Sequence, residues 1–144
     1  MSIKKSFSLI EVLVFITILS VFLVISAAII TISMRQNMLK VNMLKATHYN
    51  EQLLEWIRSE KETEWSTFAS NAGNATYCFN SDSFSWGNDC TIMLGDIYKR
   101  YADFVTTLVH GTPTQVVVTV RTEWQEAGNT YSTKLHTLFT LWEE

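Results

Sequence analysis

The chain has 144 residues, with 11 Lys/Arg against 14 Asp/Glu, a formal net charge of −3 and two cysteines. Once one long apolar run is set aside, the rest suffices for a single modest core and is too short for a large enclosed active site. Past Arg35, eight Lys/Arg face thirteen Asp/Glu, a balance that argues against general nucleic-acid binding and leaves room only for a small local patch.

The first element is the run itself. From Val12 to Met34 there are 23 residues without a charge, and only Thr17, Ser20, Ser26, Thr31 and Ser33 are polar. As a helix this segment reaches roughly 35 Å, slightly more than the hydrocarbon core of a bilayer. In lipid every backbone polar group must be satisfied within the segment, so a helix is the expected conformation. A secretory signal competes with a retained anchor, but its apolar region would be about 7–15 residues with the small-residue cleavage site after it. Here "SAA" at 26–28 lies inside the run. Lys4 and Lys5 precede the span while Arg35, Lys40 and Lys45 follow it, so charge alone does not orient it.

The next element continues the first. No Gly or Pro occurs before Gly73, and nothing else interrupts the helix. Leu39, Met43, Ala46, Tyr49, Leu53, Trp56 and Ile57 recur at steps of three and four, which makes an apolar stripe. Lys40, Lys45, Asn50, Glu51, Glu55 and Arg58 lie mostly off it. The helix is expected to end near Ser59, where "SEKETE" replaces the stripe with charge. Gly, Asn, Ser and Asp then crowd residues 70–90, a turn-rich composition.

Beyond this the period becomes two. A run over Tyr98–Val109 puts Ala102, Phe104 and Leu108 on one face and stops at "HGTP". In "QVVVTVRTEW" (115–124), Val116, Val118, Val120, Thr122 and Trp124 share a face opposite Val117, Thr119, Arg121 and Glu123. After the turn "QEAGN", Tyr131, Leu135, Phe139 and Leu141 face one way and Lys134, His136 and Thr140 the other. The expected fold is α+β: a long N-terminal helix, membrane-spanning in its first half and amphipathic in its second, packed on a three- to four-stranded antiparallel sheet.

The chain's beginning carries its most specific motif. Lys4-Lys5-Ser6 is followed by Phe7-Ser8-Leu9-Ile10-Glu11-Val12-Leu13-Val14 and then the apolar helix. This resembles the class III signal of type IV pilins and type II secretion pseudopilins. The later "LLEWIRSE" and "VVVTVRTEW" look more weakly like V-class minor pilins and I-class minor pseudopilins. The resemblance implies four segments: a leader over 1–6, a transmembrane and assembly half-helix over 7–34, an amphipathic half over 35–59, and an extracytoplasmic domain over 60–144. It implies cleavage between Ser6 and Phe7 by a prepilin peptidase on the cytoplasmic side, then N-methylation of Phe7. Lys4 and Lys5 stay inside and the sheet domain faces outward. Glu11 becomes the fifth residue of the processed chain and pairs with the N-terminal amine of a neighbouring subunit. Two positions depart from the pattern: Ser6 stands where Gly is usual, and Ala28 where many major pilins carry a helix-breaking proline. The latter, with the V/I-class likeness, points to a minor subunit.

By spacing alone, Ser8-x-x-Glu11 also fits a helix capping box, and a carboxylate at a helix N-terminus is favoured by the dipole. Cys78 and Cys90 bracket a turn-rich loop, and outside the cytoplasm a disulfide is the expectation, with free thiols the alternative. Asp82, Asp89, Asp96 and Asp103 fall every seven residues but match no calcium loop, and His48, His110 and His136 form no metal-type pair. Asn74-Ala75-Thr76 is a formal glycosylation sequon. Phe84 and Trp86 on the cysteine-bounded loop are either binding anchors or, as preferred here, core packing. No nucleophile elbow, P-loop or dinucleotide fingerprint occurs, and no enzyme activity, cofactor or metal is expected.

The expected function is therefore structural: a minor pilin or pseudopilin incorporated into a type IV pilus-like filament in a priming, tip or adaptor role. Its partners would be the prepilin peptidase, sister pilin subunits and an assembly platform in the cytoplasmic membrane. It would be a single-pass protein of that inner membrane, N-terminus in and domain out, before joining a filament at the cell surface. A membrane-tethered binding or adhesion module that never polymerises is the alternative, and an enzyme secreted behind a signal peptide is a third reading.

Overall fold

A computed structural model describes residues 8–87 and 89–141. Its order is α1 (Leu9–Thr63), α2 (Trp65–Ala72), β1 (Thr76–Cys78), β2 (Tyr98–Val109), β3 (Thr112–Glu126) and β4 (Asn129–Thr140). The fold is α+β, with the long helix packed on a four-stranded antiparallel sheet in the order β1-β2-β3-β4. The chain forms two compact units, one ending at Val41 and one beginning at Asn42, and α1 contributes to both.

The first unit is helix whose apolar side chains are exposed. It is long and apolar enough to cross a membrane, with a window of mean hydropathy 3.0. Its polar residues are reconciled with that chemistry locally. The hydroxyls of Thr17, Ser20, Ser26 and Thr31 donate to the carbonyls of Val14, Ile16, Phe22 and Ala27, at 2.7–3.0 Å. A hydroxyl bonded one turn back presents little unsatisfied polarity to lipid.

In the second unit, α1 buries Ala46, Asn50, Leu53 and Ile57, spaced four, three and four, which is one helical face. The covered face is narrower than the expected stripe, since Met43 is 55% exposed. It also includes Asn50, which the sequence reading placed off it. The helix runs past Ser59 to Thr63, because the Glu and Lys of "SEKETE" are good helix formers and break nothing. It stops at Glu64, whose backbone is extended.

The short α2, most of which precedes the turn-rich residues 70–90, was not foreseen. Phe68, Ala69 and Ala72 form its buried face. At its start the Glu64 carboxylate accepts from the Ser66 and Thr67 hydroxyls at 2.8 and 2.7 Å. At its end Gly73, at φ +48°, closes the last turn through its N–H on the Ala69 carbonyl.

The two main hairpins turn on two residues each, His110-Gly111 and Ala127-Gly128, all four at positive φ. That is the twist-matched geometry for tight hairpins, and it fixes register. Val116, Val118, Val120, Thr122 and Trp124 all face inward as their alternation requires. Leu108 is a correction: the register shifts between Thr107 and Leu108, and the side chain ends 60% exposed instead of beside Phe104. The main core joins Leu53 and Ile57 to Phe68, Phe79, Ala102, Phe104, the three inward valines and Phe139. A second cluster gathers Ala46, Leu94, Tyr98 and Trp124.

Candidate functional site

The most chemically specific position is on the first turns of α1. Glu11 is the only charged residue between Ser8 and Met34. It is exposed on a helix surface otherwise made of Leu, Ile, Val and Phe. The Ser8 carbonyl accepts the Glu11 and Val12 amides at 3.0 and 3.3 Å. Among the described residues neither the Ser8 hydroxyl nor the Glu11 carboxylate has a hydrogen-bond or ion-pair partner, so the capping box allowed by the spacing is not made. What this arrangement offers is one carboxylate on an apolar surface, available to a cation brought by another molecule. Lys4, Lys5, Ser6 and Phe7, which carry the expected cleavage and methylation, lie outside the described residues.

Cys78 and Cys90 form a disulfide, with their Cα atoms 5.1 Å apart. It ties the end of β1 to a loop that folds inward. Trp86 donates to a Glu60 carboxylate oxygen at 2.9 Å, and Trp56, Phe79, Phe84 and Trp86 form a ring cluster with centroids 5.4–6.1 Å apart. Phe84 and Trp86 thus pack on their own domain.

The regularly spaced aspartates do not converge. No group of three His, Cys, Asp or Glu able to hold a metal occurs among the described residues. Asp89 accepts from the Thr91 amide and hydroxyl, both at 2.8 Å, and these bonds hold its carboxyl below the usual range. Asp103 accepts from Thr76. His48 bonds Gln52, His136 bonds Thr119, and His110 sits in a hairpin turn. The Asn74 side-chain oxygen accepts the Thr106 amide at 2.9 Å.

The sequence reading missed one residue of consequence, Arg100. Its side chain is 1% exposed and has no carboxylate within ion-pair distance among the described residues. Nε donates to the Phe79 carbonyl at 2.7 Å, Nη1 to the Tyr49 carbonyl at 3.0 Å, and Nη2 reaches the Ser81 carbonyl at 3.4 Å. The guanidinium lies over the Phe84 ring at 4.6 Å. It joins α1, β2 and the disulfide loop. Burial pulls its pKa down to about 10, with Tyr49 and Asp82 opposing. Parity could have found it, since Arg100 alternates in step with Tyr98, Ala102 and Phe104.

No protein-family model, curated protein or solved structure matches this chain.

Proposed function

We propose that this chain is a minor pilin or pseudopilin: a membrane-anchored structural subunit that is trimmed after Ser6 and then stacked by its N-terminal helix into a pilus-like filament. The observation that carries the reading is Glu11, exposed and unpaired among the described residues on an apolar helix, directly after a basic leader and an aromatic residue. Anchoring does not need that carboxylate. At the edge of the span that carboxylate costs little, but once sister helices enclose it away from water an unpaired charge becomes costly. Pairing it with the free amine of a trimmed neighbour offsets part of both penalties. It also selects one axial register, because a shifted subunit strands both charges.

On this reading the apolar face of residues 9–34 first meets lipid and then sister helices, while the disulfide-tied sheet domain stays in water. The peptidase, the sister subunits and the membrane platform are the partners it requires. Processing is tested by intact-mass measurement of the chain from native membranes. The expected mass lacks residues 1–6 and carries one methyl group. Full-length protein, recovered beside an active prepilin peptidase, would leave a tethered domain that does not polymerise.

A further inference from the structure

The sheet has two edges, and they are closed off unequally. At one edge β1 is three residues long, Thr76–Cys78. At the other β4 is twelve, and it pairs with β3 from Asn129 to Thr140 without a register shift. Shortness, bulges, prolines and charges are what protect an edge from a further strand. β4 has no bulge and no proline, and Lys134 is its one member of the Lys, Arg, Asp and Glu set.

Register shows which backbone groups face outward. Glu126 and Asn129 flank the two-residue turn, and the Leu141 amide donates to the Thr114 carbonyl at 3.0 Å. The odd-numbered residues of β4 therefore bond to β3. Thr130, Ser132, Lys134, His136, Leu138 and Thr140 aim their N–H and C=O groups away from it. Among the described residues no other element bonds to those groups. On the inward face Tyr131 and Leu135 are only half-buried, so the core is incompletely covered at this edge.

The outward side chains narrow the chemistry of what adds there. Lys134 stands directly across from Arg121, in a pair without mutual backbone bonds, where side chains come closest. Like charges so placed oppose each other. Arg121 has Glu123 at 3.3 Å, whereas Lys134 has no carboxylate within ion-pair distance among the described residues. A second copy of this chain does not supply one. Only even-numbered residues offer groups to a new strand, so the two fullest antiparallel registers set Lys134 opposite Lys134 or His136 of the copy. We propose that the β4 edge takes up an extended segment of another polypeptide as a fifth strand, with an acidic residue opposite Lys134 and apolar residues on the inward side. This does not rest on the filament reading, since it concerns only the sheet domain.

The test uses the full chain in phosphatidylcholine nanodiscs. The probes are a nine-residue peptide of alternating Thr and Val with Glu at its centre, and its counterpart with Lys there. The Glu peptide should bind saturably, and about fivefold to tenfold more tightly than the Lys peptide, as one favourable cross-strand charge pair against one unfavourable predicts. It should slow hydrogen exchange at the Lys134 and His136 amides and leave those of Thr133 and Leu135, already paired with β3, unchanged. Lys134→Glu should invert the preference between the peptides. Ser132→Pro removes an outward N–H that the fold does not use, and should abolish binding. Near-UV circular dichroism establishes that each variant is folded. No saturable binding, equal binding of the two peptides, or undiminished binding by the Ser132 variant would overturn the proposal. Self-association of the nanodiscs that Ser132→Pro abolishes would give the edge to a second copy, and would overturn it as well.

Discussion

Replacing Arg100 with methionine sets two opposing effects against each other. The variant keeps similar length but leaves the Phe79 and Tyr49 carbonyls without their donors, at about 1–3 kcal/mol each. The contact at 3.4 Å to Ser81 is too long to add much. Against this loss stands relief from burying a cation with no carboxylate. The depressed pKa, about 10, puts that relief at about 3 kcal/mol. The lost contact with the Phe84 ring adds about 1 kcal/mol to the cost. The net expectation is a loss of about 0–4 kcal/mol, centred near 2, with about 4–8 °C in Tm per kcal/mol for a domain of this size.

The same residue sets a pH signature. Below pH 10 Arg100 is charged both folded and unfolded, and the burial cost is fully present. Above it the folded form releases the proton first, so the unfolded state binds more protons and stability rises with pH. Groups that do not interact with Arg100 cancel in the difference between wild type and variant, so the Tyr49→Phe background, which removes the one coupled phenol, is used for both. That difference should widen by about 1 kcal/mol between pH 9 and pH 11. Thermal melts followed by near-UV circular dichroism measure both effects. A methionine variant clearly more stable than wild type at neutral pH, or a gap that narrows with rising pH, would refute the reasoning.

Two further outcomes follow from the same domain. Breaking the Cys78–Cys90 bond with Cys90→Ser should cost about 3 kcal/mol in the chain-entropy view, and an unchanged melt would mean that the loop is held by its aromatic packing alone. Asn50→Leu should cost about 2–4 kcal/mol. It strands the Thr122 hydroxyl, now 2.6 Å from Asn50 Oδ1, and the Thr133 carbonyl, 3.1 Å from Nδ2. Adding Thr122→Val should restore part of that loss in a double-mutant cycle, and strictly additive losses would contradict a direct bond.

The fold was legible where periodicity was clean. In β3 five consecutive inward residues could be named from alternation, and the cysteine spacing foretold a bond the structure contains. Legibility failed at two polar residues in inward positions. Arg100 and Asn50 both keep the period of their apolar neighbours, but hydropathy hides them because their partners come from distant segments. The helix α2 was missed because eight residues give too short a window for a helical period, although Phe68, Ala69 and Ala72 make a buried face. Leu108 was misplaced because a bulge resets parity and leaves no mark in the local pattern. Glu11 stood out only because an acid in an apolar run is anomalous. Its assigned role comes from the leader and the residues around it.

The filament reading is tested most directly by Glu11→Gln, which removes the charge and keeps the shape. With the variant expressed in place of the wild-type chain, membrane extraction and the amount of anchored protein should be unchanged, because an uncharged helix inserts at least as well. Its recovery in sheared surface filaments should fall steeply, because the neighbour's amine then has no counter-charge. Recovery equal to wild type would contradict the account.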